Sequence, residues 1–143
     1  MLAYDPATNP LNNNEWMFPL TECIHIASMA MCIGTITAVD LRLLGTGITG
    51  NSAGDLARAT SIWTLVGFVL VILTGTIIFT TDPVMYLNNV SFQFKMGLLL
   101  TGLVFHYTLH QKAVRSGRGA AVAVVSLVLW ASLVFSAIFI AFV

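Results

Sequence analysis

The 143 residues are 57% apolar and only 8% charged, where an ordinary soluble chain carries roughly 25% charge. Six basic and six acidic side chains cannot cover a water-facing surface, and their zero net balance speaks against a nucleic-acid partner or an acidic substrate. The length allows one compact domain, and the composition assigns it to the lipid bilayer.

Residues 1–15 carry no basic side chain and no apolar core, only Asp5, two prolines and an asparagine run. They read as a short polar tail, not as a cleavable leader. Beyond them the charges cluster, and the gaps between clusters have the length of a bilayer crossing, about 20 residues. Helices are predicted at about 16–44, 58–81, 91–114 and 119–143. Gly45 to Ala57, rich in glycine, threonine, serine and asparagine, is predicted to be a loop. Short links favour an all-α, up-down bundle of four transmembrane helices.

Orientation follows from lysine and arginine. Arg42 and Arg58 flank the first loop, and Lys112, Arg115 and Arg118 crowd the third. The positive-inside rule puts these loops in the cytoplasm and both termini outside, in the inner (cytoplasmic) membrane of a cell. Trp16, Phe18, Tyr86, Phe92 and Phe94 then form an outer aromatic belt.

Ionisable groups inside a bilayer are costly and need partners. On the first span Glu22, His25, Met29, Cys32, Ile36 and Asp40 share one face, since Glu22 and Asp40 lie five turns apart. That face is expected to point into the bundle. Ala30, Gly34 and Ala38 on the other flank are read as packing inside the bundle, ahead of a dimer interface. On the third span Lys95, Leu99, Gly102, His106 and His110 form a matching stripe. Glu22 is predicted to pair with Lys95 near the outer boundary. Asp40 and Arg42 are expected to meet Arg58 and His110 near the inner one.

Two cofactor readings compete. A b-type haem needs imidazoles on facing helices. His106 and His110 share a face, so His25 is one ligand and His106 or His110 the other, with His25 and His106 as the leading pair. Gly102 would leave room beside His106 for a flat cofactor or for a neighbouring side chain. Depth opposes this pairing: with Glu22 level with Lys95, the two histidines differ by ~12 Å along the bundle axis. Copper is the alternative, with His25, Met29 and Cys32, and also His106, as ligands. Cys23 and Cys32 stand ~13 Å apart on one helix, too far for a disulfide. Motifs for zinc proteases, phosphate loops and serine nucleophiles are lacking, so the chain reads as no enzyme on its own.

The stretch from Phe18-Pro19 through Glu22 and His25 to Asp40-Leu41-Arg42-Leu43-Leu44-Gly45 resembles a family of small bacterial four-helix membrane proteins of uncharacterised function. Thr74-Gly75, Phe79, Asp82-Pro83, Tyr86, Phe92, Lys95 and Phe105-His106 extend the resemblance to about His110. That group is distantly similar to copper-resistance membrane proteins and to b561-type cytochromes. The resemblance implies redox or metal handling at His25 and His106. The functional expectation is a haem-binding subunit that passes electrons within a membrane complex. The alternatives are a non-catalytic accessory subunit, in a larger complex or a homo-oligomer and without cofactor, or a copper-handling protein.

Overall fold

The computed structural model describes residues 5–47 and 50–142, which are helical with no strand among them. The helices are α1 (Met17–Leu43), α2 (Ala53–Phe79), α3 (Pro83–Asn88), α4 (Val90–Phe105), α5 (Gln111–Ser116) and α6 (Ala120–Phe139). Three of them, α1, α2 and α6 with the 3-10 turn that follows it, are long and apolar enough to cross a membrane. The chain is therefore a multi-pass membrane protein. Between α2 and α6 the path from Val90 to Ser116 is helical throughout, but His106–His110 form a π-turn between α4 and α5.

The helix ends follow from local chemistry. Ser52 accepts from the Asp55 amide at 3.1 Å, and its hydroxyl donates to the Asp55 carboxylate at 2.6 Å. This reciprocal cap starts α2 at Ala53, inside the stretch that composition marked as loop. The Ser52-Ala53-Gly54-Asp55 spacing carried that signal, hidden by the surrounding glycines. Asp82 caps α3 ahead of Pro83, and Asn89 caps α4. Gly117, at φ +64°, stops α5 in the left-handed conformation.

Packing runs through two close helix approaches. A Cβ on Gly67 would stand 2.7 Å from Cys32 Cβ and 3.0 Å from the Ser28 carbonyl oxygen, so α1 and α2 meet nearly backbone to backbone. A Cβ on Gly102 would stand 2.9 Å from Leu129 and 3.0 Å from the Trp130 ring, which fixes α4 against α6. The core between them joins Cys32, Ile36, Phe68, Val71, Trp130 and Leu133. A second apolar cluster, Val39, Leu56 and Val114, closes the bundle toward the basic loops.

At the opposite end, Asn9 and Asn12 donate to the carbonyls of Thr80 and Thr81. Asn89 donates to the carbonyl of Ile140. The tail before α1, the end of α2, the start of α4 and the end of α6 thus gather at one end of the molecule.

Of the stripe of Ala30, Gly34 and Ala38, Ala38 packs as expected against the second cluster, and the other two do not. Ala30 and Gly34 are exposed, and a Cβ on Gly34 would have nothing within 4 Å. The small-residue contact on α1 falls instead at Ser28 and Cys32, because the matching notch, Gly67, lies on that side.

Candidate functional site

The inward face of α1 carries His25, Ser28, Cys32, Ile36, Val39 and Asp40 as buried residues. Glu22 belongs to the same stripe in sequence but is exposed. On the facing segment Gly102, His106 and His110 are buried and Lys95 and Leu99 are half-buried. Both stripes therefore point inward, yet they bring together different residues from those expected.

Asp40 is 0% and His110 1% exposed, and His110 Nε2 lies 2.7 Å from Asp40 Oδ1. His106, 5% exposed, stacks on His110 with ring centroids 4.9 Å apart and planes inclined by 26°. The π-turn explains the stacking. The Gln111 amide reaches back five residues to the His106 carbonyl and so adds a residue to the turn. Side chains four apart, which diverge by about 40° on an α-helix, are rotated toward alignment. Such turns are frequent at functional sites. Phe68 meets the His106 ring at 5.9 Å and tilts over Trp130 at 5.6 Å.

Hydrogen bonding in this cluster is incomplete. Asp40 Oδ2, His106 Nδ1 and His110 Nδ1 are buried with no partner among the described residues, as are Ser126 Oγ and Trp130 Nε1. Buried polar atoms are rarely left so, and here three of them crowd around one ion pair. Beside the cluster lies a cavity of about 280 Å³, lined by Thr60, Thr64, His106, Tyr107, His110 and Gln111 among others.

His25 stands apart from this cluster. Its Nδ1 is 2.8 Å from Thr74 Oγ1. The Thr74 hydroxyl hydrogen points to the Leu70 carbonyl at 2.6 Å, so Nδ1–H is the donor to the hydroxyl oxygen and Nε2 keeps its lone pair. The ring rests on Gly75, whose added Cβ would lie 3.1 Å from His25 Cε1.

This geometry does not fit a haem held between His25 and His106. His106 lines the cavity beside Thr35, Ile36 and Val39 of α1, ten or more residues beyond His25, which is ~15 Å along the helix. The notch at Gly102 is filled by Trp130 and Leu129, leaving no room there for a flat cofactor. His110, for its part, is committed to Asp40.

The ion pairs also differ from expectation. Among the described residues Asp40–His110 is the pair within 4 Å, and Glu22 and Lys95 do not form one. Lys95 borders a crevice with Met29, Cys32 and Trp130, seven to ten residues past Glu22, or ~10–15 Å. Equating the levels of Glu22 and Lys95 set the register wrongly. Arg58 is exposed, and the half-buried Arg42 turns its Nε to the Asn51 carbonyl. Asp40 thus keeps only the histidine of its expected partners.

The copper ligands do not converge either. Cys32 donates from Sγ to the Met29 carbonyl at 3.3 Å, within the apolar core, while His25 turns to α2. Among the described residues no three His, Cys, Asp or Glu side chains group as metal ligands. Cys23 and Cys32 are both free thiols.

Sequence reading missed Trp130, Phe68 and the unpartnered Ser126. Ala123, Ser126, Trp130 and Leu133 are the buried residues of α6; their spacing of three and four marked the seam, although apolar residues on every side concealed it. Comparison with known proteins finds no matching family model, curated protein or solved structure.

Proposed function

We propose that this chain is a four-span subunit of a membrane redox assembly that holds and passes a proton at Asp40, His110 and His106. In this reading α4, the π-turn and α5 make the third span, and both ends lie outside the cytoplasm. The observation that carries it is the fully buried Asp40–His110 pair at 2.7 Å. An ionisable pair at such a depth in a membrane protein calls for a functional reason. Carboxylate and imidazole at this distance can share a proton, and each offsets the cost of burying the other. His106, stacked on His110, is the next imidazole along, and both border the cavity. The other charges on the elements packed here are Glu22, Arg42, Asp55, Arg58, Lys95, Lys112 and Arg115, and among the described residues none pairs with Asp40 or His110. The redox setting rests on the resemblance of the Glu22–His25 and Asp40–Gly45 segments.

Two spectra test the reading. In lipid nanodiscs, infrared difference spectra taken across the pH range in which the fold persists are expected to show linked carboxyl and imidazole bands. Both bands should vanish in Asp40→Asn and in His110→Gln. Bands that stay fixed across this range would remove the proton role. The optical spectrum of purified protein is expected to lack a Soret band. A Soret band that shifts on reduction and disappears in His25→Ala would return iron to the centre of the account.

A further inference from the structure

The cavity beside the histidines has a chemistry of its own. It lies between α1, α2 and the π-turn, and among the described residues no lysine, arginine, aspartate or glutamate lines it. A charged ligand would find no countercharge there, so the occupant is neutral. The hydroxyl groups around it have already spent their hydrogens. Thr35, Thr60, Ser61 and Thr64 donate to the carbonyls of Cys32, Leu56, Arg58 and Thr60. The groups left over are the Tyr107 hydroxyl, the Gln111 amide, the His106 imidazole and Nδ1 of His110, whose Nε2 is held by Asp40, and none of the four has a hydrogen-bond partner among the described residues. For His106, which is 5% exposed, an unpartnered imidazole is unusual. The wall thus offers donors to something that accepts.

The position of the opening narrows the choice. Ile62, Leu65 and Tyr107 line the cavity and are all exposed on the outer surface, which in the four-span arrangement faces lipid. A volume of about 280 Å³ lies at the small end of ligand pockets and suits a single ring, not a macrocycle.

We infer that this cavity binds the headgroup of a quinone: a flat, neutral ring whose carbonyl oxygens accept hydrogen bonds from His106, Tyr107 and Gln111. Its isoprenoid tail leaves between Ile62 and Tyr107 into the bilayer. The inference relies on the proposed four-span arrangement for the lipid-facing opening, but it requires no proton transfer by Asp40 and His110.

The test uses the full chain in lipid nanodiscs, with short-tailed benzoquinone and naphthoquinone probes in parallel arms and an azido-quinone for photolabelling. At least one probe is expected to bind saturably, one per chain, with the label on α2 near Ile62 or on Tyr107. Ser61→Phe fills the cavity from an exposed position and leaves the histidines in place. It is expected to weaken binding by about tenfold or more, a shift of one decade in Kd, with the helical circular dichroism retained. His106→Leu should weaken it too, and Ser61→Phe decides the matter if that variant misfolds. Uptake that rises linearly, as in protein-free nanodiscs, or unchanged affinity in Ser61→Phe overturns the site and leaves a cavity holding water or lipid. Saturable binding with motionless infrared bands would keep the quinone site and remove the proton role.

Discussion

At the scale of single residues, Asp40 and His110 decide most. Removing one member of a buried ion pair leaves the other uncompensated and costs about 3–5 kcal/mol, whereas replacing both by apolar side chains of similar volume is often nearly neutral. Asp40→Leu alone and His110→Leu alone should therefore each destabilise the bundle by several kcal/mol. The double variant should recover most of that loss. Reversible unfolding in mixed detergent micelles measures all three, and a double variant that simply sums the two losses would show that the pair does not act as a unit. His110 was legible in sequence as a possible partner of Asp40, because both sit near the inner boundary on inward stripes. What hid the remaining partners was register. Lys95 and Glu22 are both isolated charges near the outer boundary, and nothing in the residues themselves says that α4 starts ~10–15 Å deeper than this equation assumed.

Helices were easier to read than their contacts. The apolar lengths of α1, α2 and α6 are properties of composition, so their positions emerged, apart from the five residues by which α2 starts early. Which glycine mates with which face depends on the partner helix, and so it did not emerge. Gly67 and Gly34 make the contrast testable. Gly67→Ala puts a methyl group 2.7 Å from Cys32 Cβ and 3.0 Å from the Ser28 carbonyl, where backbone must move. Overpacking of this kind costs about 1–3 kcal/mol. Gly34→Ala meets open space, and removing a helical glycine favours the helix by up to about 1 kcal/mol. In the same unfolding assay the first should fall below the parent and the second should match or exceed it. A loss at Gly34 equal to that at Gly67 would mean that the outer face of α1 is covered by another chain. The π-turn belongs to this scale too. It leaves no mark in a 3.6-residue pattern, because one extra residue in a turn is set by how the Gln111 amide is satisfied and not by polarity.

For the whole molecule, the distribution of charge and the joining of its ends make one argument. Arg42, Arg58, Lys112, Arg115 and Arg118 all sit on or beside the ends of α1, α2 and α5 that share the Val39, Leu56 and Val114 cluster. The other end carries the tail, tied by Asn9 and Asn12 to the end of α2, and the close of α6, tied by Asn89. An even number of crossings is the arrangement that puts both termini at one end, and α1, α2 and α6 supply three. In the proposed arrangement the path from Val90 to Ser116 is the fourth. Five of the six basic residues lie at one end, and the proposed arrangement turns that end to the cytoplasm. Single cysteines placed at Asn13 and at Arg118, in a chain whose Cys23 and Cys32 are replaced by alanine, report the result directly. A membrane-impermeant maleimide added to intact cells should label the Asn13 site at once. The Arg118 site should stay silent until the membrane is opened. Labelling at both sites from outside would show that Val90 to Ser116 does not cross, because two spans then separate tail and loop, an even number that leaves both on one side.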